Sequence, residues 1–274
     1  MSKPLAICGL RRSGTTITWN LLRQHPALYG LDEPFGPYVT KWISQDPSQV
    51  PGHGQPYLDE PIRTIALEHH SWMQPKYEVK HRFRPFEARY LERLLEVDSR
   101  LLIDTTRGVV KISHLQELGF RTVLLIRDPR AWATSHLRRS HPGFIQRPTH
   151  FFNTTERANY WSMDSVYEQL FEDSYQRHTV ERLVRLWGHL NYRATMQGPH
   201  EIITLEELCT KPRRTLQKAI GPGFLQKWPF KFNLTTLRGL SPPAFPDDPR
   251  WDAALDTIPP QLRQYVYEFP AVEQ

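Results

Sequence analysis

The chain has 274 residues, 39% hydrophobic and 23% charged, with 8 Trp, 11 Tyr and 13 Phe, a composition that excludes intrinsic disorder, collagen-like repeats and coiled coils and is long enough to bury a full core. Its 35 Lys and Arg against 29 Asp and Glu give a formal charge of +6, which favours an anionic ligand or surface. Two cysteines, Cys8 and Cys209, are too few for a disulfide framework, and no apolar stretch approaches the roughly 18 residues that cross a bilayer.

The first predicted element is the apolar run Leu5 to Leu10, which ends in a glycine loop and is followed by residues 15–24 with Ile17, Leu21 and Leu22 at helical spacing. The reading is strand, loop, helix. No apolar h-region or cleavage-site spacing precedes that strand, so no stable membrane insertion and a cytoplasmic location are expected. His25-Pro26 stops the helix, and residues 27–31 are predicted as a short strand before Asp32-Glu33-Pro34. Six prolines within residues 34–61 make that stretch a loop-rich insertion. Residues 84–97 carry Phe86, Tyr90, Leu91, Leu94 and Leu95 on one helical face. Residues 101–104 then read as a buried strand ending in an acid.

A second unit follows, with a helix over 109–118 stopped by Gly119 and the continuous apolar strand Thr122 to Ile126. Arg127-Asp128-Pro129 ends that strand, and Pro129 suits the first turn of a helix reaching about Arg139. Residues 141–155 are predicted as loop, 175–196 as a long helix, 201–205 as a strand and 212–219 as a helix. Strands alternating with helices imply an α/β fold of three layers, with a mostly parallel central sheet and a helical, loop-rich C-terminal half, read as one domain over residues 1–274. Between Arg100 and Arg147 nine basic residues stand against three acids. Nucleic-acid binding fits that charge, but no aromatic platform, zinc spacing or helix-turn-helix pattern accompanies it, and no nucleic-acid partner is expected.

The sharpest motif is Gly9-Leu10-Arg11-Arg12-Ser13-Gly14-Thr15-Thr16, which has the spacing of a Walker A loop except that Thr15 stands where the lysine belongs. Glycines let successive backbone N–H groups turn inward, and the following helix adds its positive end, so the loop remains an anion site without the lysine. Arg12 can supply the missing cation. Arg127, at the carboxyl end of a strand, and Ser135, two helical turns on, form a second pair able to grip a phosphate.

Arg12-Ser13-Gly14-Thr15-Thr16 followed by Leu21, Leu22, His25 and Pro26 resembles the 5′-phosphosulfate loop of sulfotransferases that use 3′-phosphoadenosine 5′-phosphosulfate (PAPS), especially the carbohydrate and tyrosylprotein types. Leu124 to Ala131 with Ser135 resembles the 3′-phosphate motif of the same family. Glu206-Glu207-Leu208, Lys211-Pro212 and Thr215-Leu216 extend the similarity, with Leu205 where many relatives have tyrosine. The resemblance implies a P-loop-type fold and transfer of a sulfuryl group from PAPS to an acceptor hydroxyl, leaving 3′-phosphoadenosine 5′-phosphate (PAP). It places Arg11, Arg12, Ser13, Gly14, Thr15, Thr16, Arg127, Ser135 and, from a C-terminal loop, Arg238 on the cofactor.

A base is needed for that step. Glu33, 19 residues after Gly14, follows a strand that should return beside the loop, and Glu33-Pro34 resembles the Glu-Pro of carbohydrate sulfotransferases; Glu33 and Arg12 are the expected catalytic residues. On an extended backbone Asp32 points the other way. Cytosolic relatives use a histidine, and His69, His70, His81, His114 and His136 are the alternatives. Arg107 can add charge but is outside the catalytic set. No Asp, Glu, His or Cys recurs at metal-ligand spacing. The acceptor is a small-molecule or glycan hydroxyl, with Trp42, Trp72, Phe83, Phe151, Phe152 and Trp161 as candidate pocket walls. Two other readings fit the loop, a P-loop kinase or NTPase using Thr16 for Mg²⁺ and a non-catalytic nucleotide-binding module.

Overall fold

A computed structural model describes residues 3–98, 100–140, 164–172, 179–221, 233–237 and 250–267. Five strands, β1 (Leu5–Gly9), β2 (Tyr29–Asp32), β3 (Leu101–Thr105), β4 (Arg121–Ile126) and β5 (Glu201–Thr204), form one sheet in the order β2-β3-β1-β4-β5. All four pairings are parallel. β1 and β3 are buried along their whole length, and only Arg121 of β4 is partly open. That is why these strands are continuous apolar runs rather than alternating ones: both faces of a parallel sheet are covered by crossover helices.

Alternation decides which cluster each strand residue joins. Leu5, Ile7, Val123 and Leu125 face α1 (Thr15–Leu22), α10 (Leu205–Thr210) and α11 (Pro212–Ile220), packing with Trp19, Leu22, Leu208 and Leu216. Ala6, Cys8, Leu124 and Ile126 face the larger cluster on the opposite side. There they meet α5 (Pro85–Val97), α6 (Ile112–Glu117), α7 (Pro129–Ser140) and α9 (Thr179–Thr195) through Leu94, Leu115, Trp132 and Trp187. At about 1.5–3 kcal/mol for each fully buried large apolar side chain, these two faces supply the main driving force for folding.

Several boundaries differ from the sequence reading for physical reasons. Residues 34–61 hold α2 (Val39–Ser44) and two 3₁₀ turns, Pro47–Gln49 and Gln55–Leu58, because the prolines sit at turn starts rather than inside the helix. A further helix, α3 (Ile62–His69), and the single turn α4 (Pro75–Glu78) follow. α6 begins at Ile112, not at residue 109, with Lys111 as its non-helical N-cap at φ −121°. Leu205 opens α10 instead of closing β5, since Thr204 caps that helix: its Oγ1 accepts from Glu207 N at 3.0 Å while Glu207 Oε2 accepts from Thr204 N. α8 (Asp164–Glu168) packs on α4, and the short helix Arg250–Leu255 packs on α9. Arg238, Phe151, Phe152 and Trp161 lie outside the described residues, as does the expected loop 141–155. Among the described residues no helix is long and apolar enough to cross a membrane.

The topology locates a crevice. The helix after β1, α1, lies on one face of the sheet, whereas the helix after the neighbouring strand β4, α7, lies on the other. The two connections diverge at the carboxyl ends of these adjacent strands and leave an opening between them, where ligands of open α/β sheets bind.

Candidate functional site

That opening is the inner end of a cavity of about 740 Å³ whose walls include Arg11, Arg12, Gly14, Thr15, Thr16, Glu33, Arg127 and Ser135. The sequence reading named all eight. Gly14 caps α1 at φ 97°, ψ 20°, a left-handed conformation, and a Cβ there would lie 2.8 Å from Leu205 Cδ1. Gly9 is required for a different reason, since its Cβ would meet Leu125 O at 2.8 Å and Thr15 Cγ2 at 2.9 Å. Thr15 is therefore buried behind the loop, in contact with β1, and leaves Thr16 exposed at the helix start. Arg12 is also left-handed, at φ 76°.

α7 holds the loop in that conformation. Trp132 Nε1 donates to Arg11 O, and His136 Nε2 lies 3.1 Å from the same carbonyl. Ser135, between them on the same helical face, accepts from Arg12 Nε at 3.1 Å, and Arg127 Nη1 donates to Arg12 O at 2.9 Å. His136 is a donor here and stays neutral: burial, followed by the nearby arginines, pushes it down to about 3. Two segments more than a hundred residues apart are thus joined by four contacts. Ser13 is buried, and its Oγ has no hydrogen-bond partner among the described residues.

Asp128 does not pair with Arg127. It caps α7, its Oδ1 accepting from Arg130 N and Ala131 N, and it bonds Arg130 through the side chains. Arg130 is thereby a structural partner. Arg11 also departs from expectation. Only 3% exposed, its guanidinium bonds the buried Glu78 carboxylate, although its edge still reaches the cavity wall.

Glu33 sits at φ 45° immediately after β2. Its N–H is held by Asp104, at 3.0 Å from Oδ1 and 3.2 Å from the carbonyl. Its carboxylate accepts from Thr106 N at 3.0 Å and from Arg107 Nη1 at 3.2 Å. Arg107 is therefore at the cavity, beside the candidate base. The expectation that Asp32 points away fails because the left-handed turn at Glu33 breaks the alternation of extended backbone, and both residues line the cavity. Asp32 and Asp104 are register partners on β2 and β3, so two buried carboxyl groups stand side by side. Burial, then the neighbouring carboxylates, raises Asp104 well above the usual range; burial, followed by Glu33, pushes Asp32 up to about 7.

None of the histidines considered as alternative bases lines the cavity, and His136, the one beside the loop, is turned onto Arg11 O. His70 bonds Gly36 O and Thr40, His81 bonds Arg193, His114 accepts from Phe83 N, and His69 lies beside Glu68. His53, which no motif singles out, lines the cavity instead, 3.9 Å from Asp32 Oδ2. The outer wall comes from residues 38–53, including Tyr38, Lys41 and Trp42. Trp72 is exposed, and Phe83 packs on Phe35 in the core with ring centroids 4.9 Å apart. Among the described residues no three His, Cys, Asp or Glu side chains converge as metal ligands. No protein-family model matches the chain, and comparison with curated proteins gives no match.

Proposed function

We propose that the chain is a sulfotransferase that moves a sulfuryl group from PAPS to the hydroxyl of a glycan or small molecule. The observation that carries this reading is the joining of Arg12, Ser135 and Arg127 in the switch-point crevice, with a carboxylate, Glu33, on the same cavity wall. The residues fit the cofactor. Successive loop N–H groups, Arg12 and Thr16 suit the 5′-phosphosulfate, and Arg127 with Ser135 suits the 3′-phosphate. Bound there, PAPS supplies an activated sulfuryl group whose sulfur accepts the acceptor oxygen as the bond to the 5′-phosphate breaks.

The chain's own residues do the rest. Glu33 receives the hydroxyl proton, and its fixed bonds to Thr106 N and Arg107 hold it in one orientation. Arg12 opposes the negative charge that develops on the leaving phosphate. We place the reaction in the cytoplasm, where two free cysteines are ordinary.

The test is calorimetric titration of the protein with PAP and with ADP, each with and without Mg²⁺. PAP should bind tightly without metal and in preference to ADP, because the two differ in where the second phosphate sits, and Arg127→Ala should cost it about tenfold or more. Preference for ADP or ATP in a Mg²⁺-dependent manner overturns the reading in favour of a kinase, and PAP binding with no turnover on any acceptor supports a non-catalytic module.

A further inference from the structure

Two residues that belong to no motif support the site from behind. Glu78 ends the single turn α4 and is 6% exposed. Its Oε1 accepts from Arg11 Nη2 and lies 3.5 Å from Arg107 Nε, while Arg107 reaches Glu33 Oε2 with Nη1 at 3.2 Å. One carboxylate is thus the counter-ion of an arginine in the anion loop and of the arginine that holds the candidate base. The side chains of Arg11 and Arg107 are 3% and 4% exposed, so water screens neither charge. Two buried guanidinium groups repel each other, and a shared carboxylate between them offsets that repulsion.

The backbone that carries Glu78 is fixed separately. Lys111 Nζ, fully buried, donates to Tyr77 O at 2.6 Å, Lys80 O at 2.5 Å and Glu78 O at 3.3 Å. Three carbonyls converge on the three N–H bonds of one ammonium group, closing the turn 77–80 around it. A four-residue turn has no stability of its own, so this anchor sets where the Glu78 carboxylate stands.

We propose that Glu78 is a positioning residue for both halves of the site, coupling the anion loop to Glu33 through Arg11 and Arg107, and that Lys111 sets its place. For the ligand it uses, PAP, the proposal rests on the reading above; the coupling between the two segments does not.

The test is Glu78→Gln, which keeps the shape and removes the charge, followed by PAP titration and by amide hydrogen exchange resolved to peptides. Residues 9–16 and 104–110 should both exchange faster while β4 stays protected, and PAP affinity should fall roughly tenfold, since misplacement of a binding group by about an ångström acts on that scale or above. Faster exchange confined to residues 74–82, or unchanged PAP affinity with both segments protected, overturns the proposal and leaves the sulfotransferase reading intact. If the wild type fails to bind PAP but Glu78→Gln still loosens both segments, the coupling stands and the ligand reading falls. Should Glu78→Gln unfold the whole chain, Glu78→Asp decides: it keeps the charge but cannot reach both arginines, so retained PAP affinity in a folded Glu78→Asp protein also overturns the proposal.

Discussion

Three carboxyl groups, on Asp32, Glu33 and Asp104, meet at the carboxyl ends of β2 and β3, and they have different partners. Glu33 has a guanidinium and a backbone N–H as partners, whereas Asp32 and Asp104 have chiefly each other. A buried pair of like charges is relieved by keeping a proton, so both are raised, Asp32 to about 7. The consequence for stability follows from linkage. Above the unfolded value of roughly 4 the folded chain holds a proton the unfolded chain has released, so this contribution is fully present below about pH 4 and is lost as pH rises through about 7. The loss amounts to at most about 1.4 kcal/mol per pH unit for one proton. Asp104→Asn removes one carboxyl group of the pair and keeps Oδ1 for Glu33, and should flatten the dependence. Thermal melts between pH 5.5 and 8 check this: the wild type should lose stability toward pH 8 and the variant should not, and parallel curves would show that the pair does not titrate in this range.

At the scale of elements, α7 acts as a clamp on the loop after β1. Trp132, Ser135 and His136 lie three and four residues apart, hence on one helical face, and all three touch Arg11 or Arg12. Because Arg12 is a non-glycine residue at φ 76°, a conformation that costs of order 1 kcal/mol, the clamp is what keeps its side chain on Ser135 and its carbonyl on Arg127. Trp132→Phe keeps most of the ring's packing and deletes the donor to Arg11 O; it should cost about 1 kcal/mol of stability but lower PAP affinity by several-fold. Equal affinity in calorimetry would mean that the loop holds its shape without α7. Much of this element was legible from residues 122–135 alone, because an apolar run, a strand-end arginine and Pro129 at a helix start are all local signals. Trp132 and His136 were not legible as loop contacts, since their partner is a carbonyl more than 120 residues away. Glu78, Lys111 and His53 escaped because their partners, though nearer in the chain, lie outside their own local segments, and Asp32 was misdirected because nothing in Asp32-Glu33-Pro34 announces a left-handed glutamate.

Over the whole molecule, the sheet makes the two halves of the chain one structure. β1 lies at its centre between β3 and β4, with Leu5 and Ile7 facing one cluster and Ala6 and Cys8 facing the other. Trp19 belongs to the first cluster, while Trp132 and Trp187 belong to the second. α9, from the helical second half, packs on β4 and covers Arg127 O with Trp187 Nε1 at 2.9 Å, so that half is built onto the site rather than beside it. Tyr267, near the end of the described residues, returns to the same strand end and donates its N–H to Asp128 Oδ2 at 2.9 Å. Neither half can lose its packing without exposing a strand that the other half also covers. We infer one cooperative unit, as the single-domain reading of residues 1–274 requires. Ile7→Ala, a cavity at the sheet centre, should therefore destabilise the chain by about 2–5 kcal/mol and displace the loss of far-UV circular dichroism and of tryptophan fluorescence by equal amounts in denaturant. Two resolved transitions, with only one moved by the substitution, would mean that the faces unfold separately and that the crevice lies between two independent units.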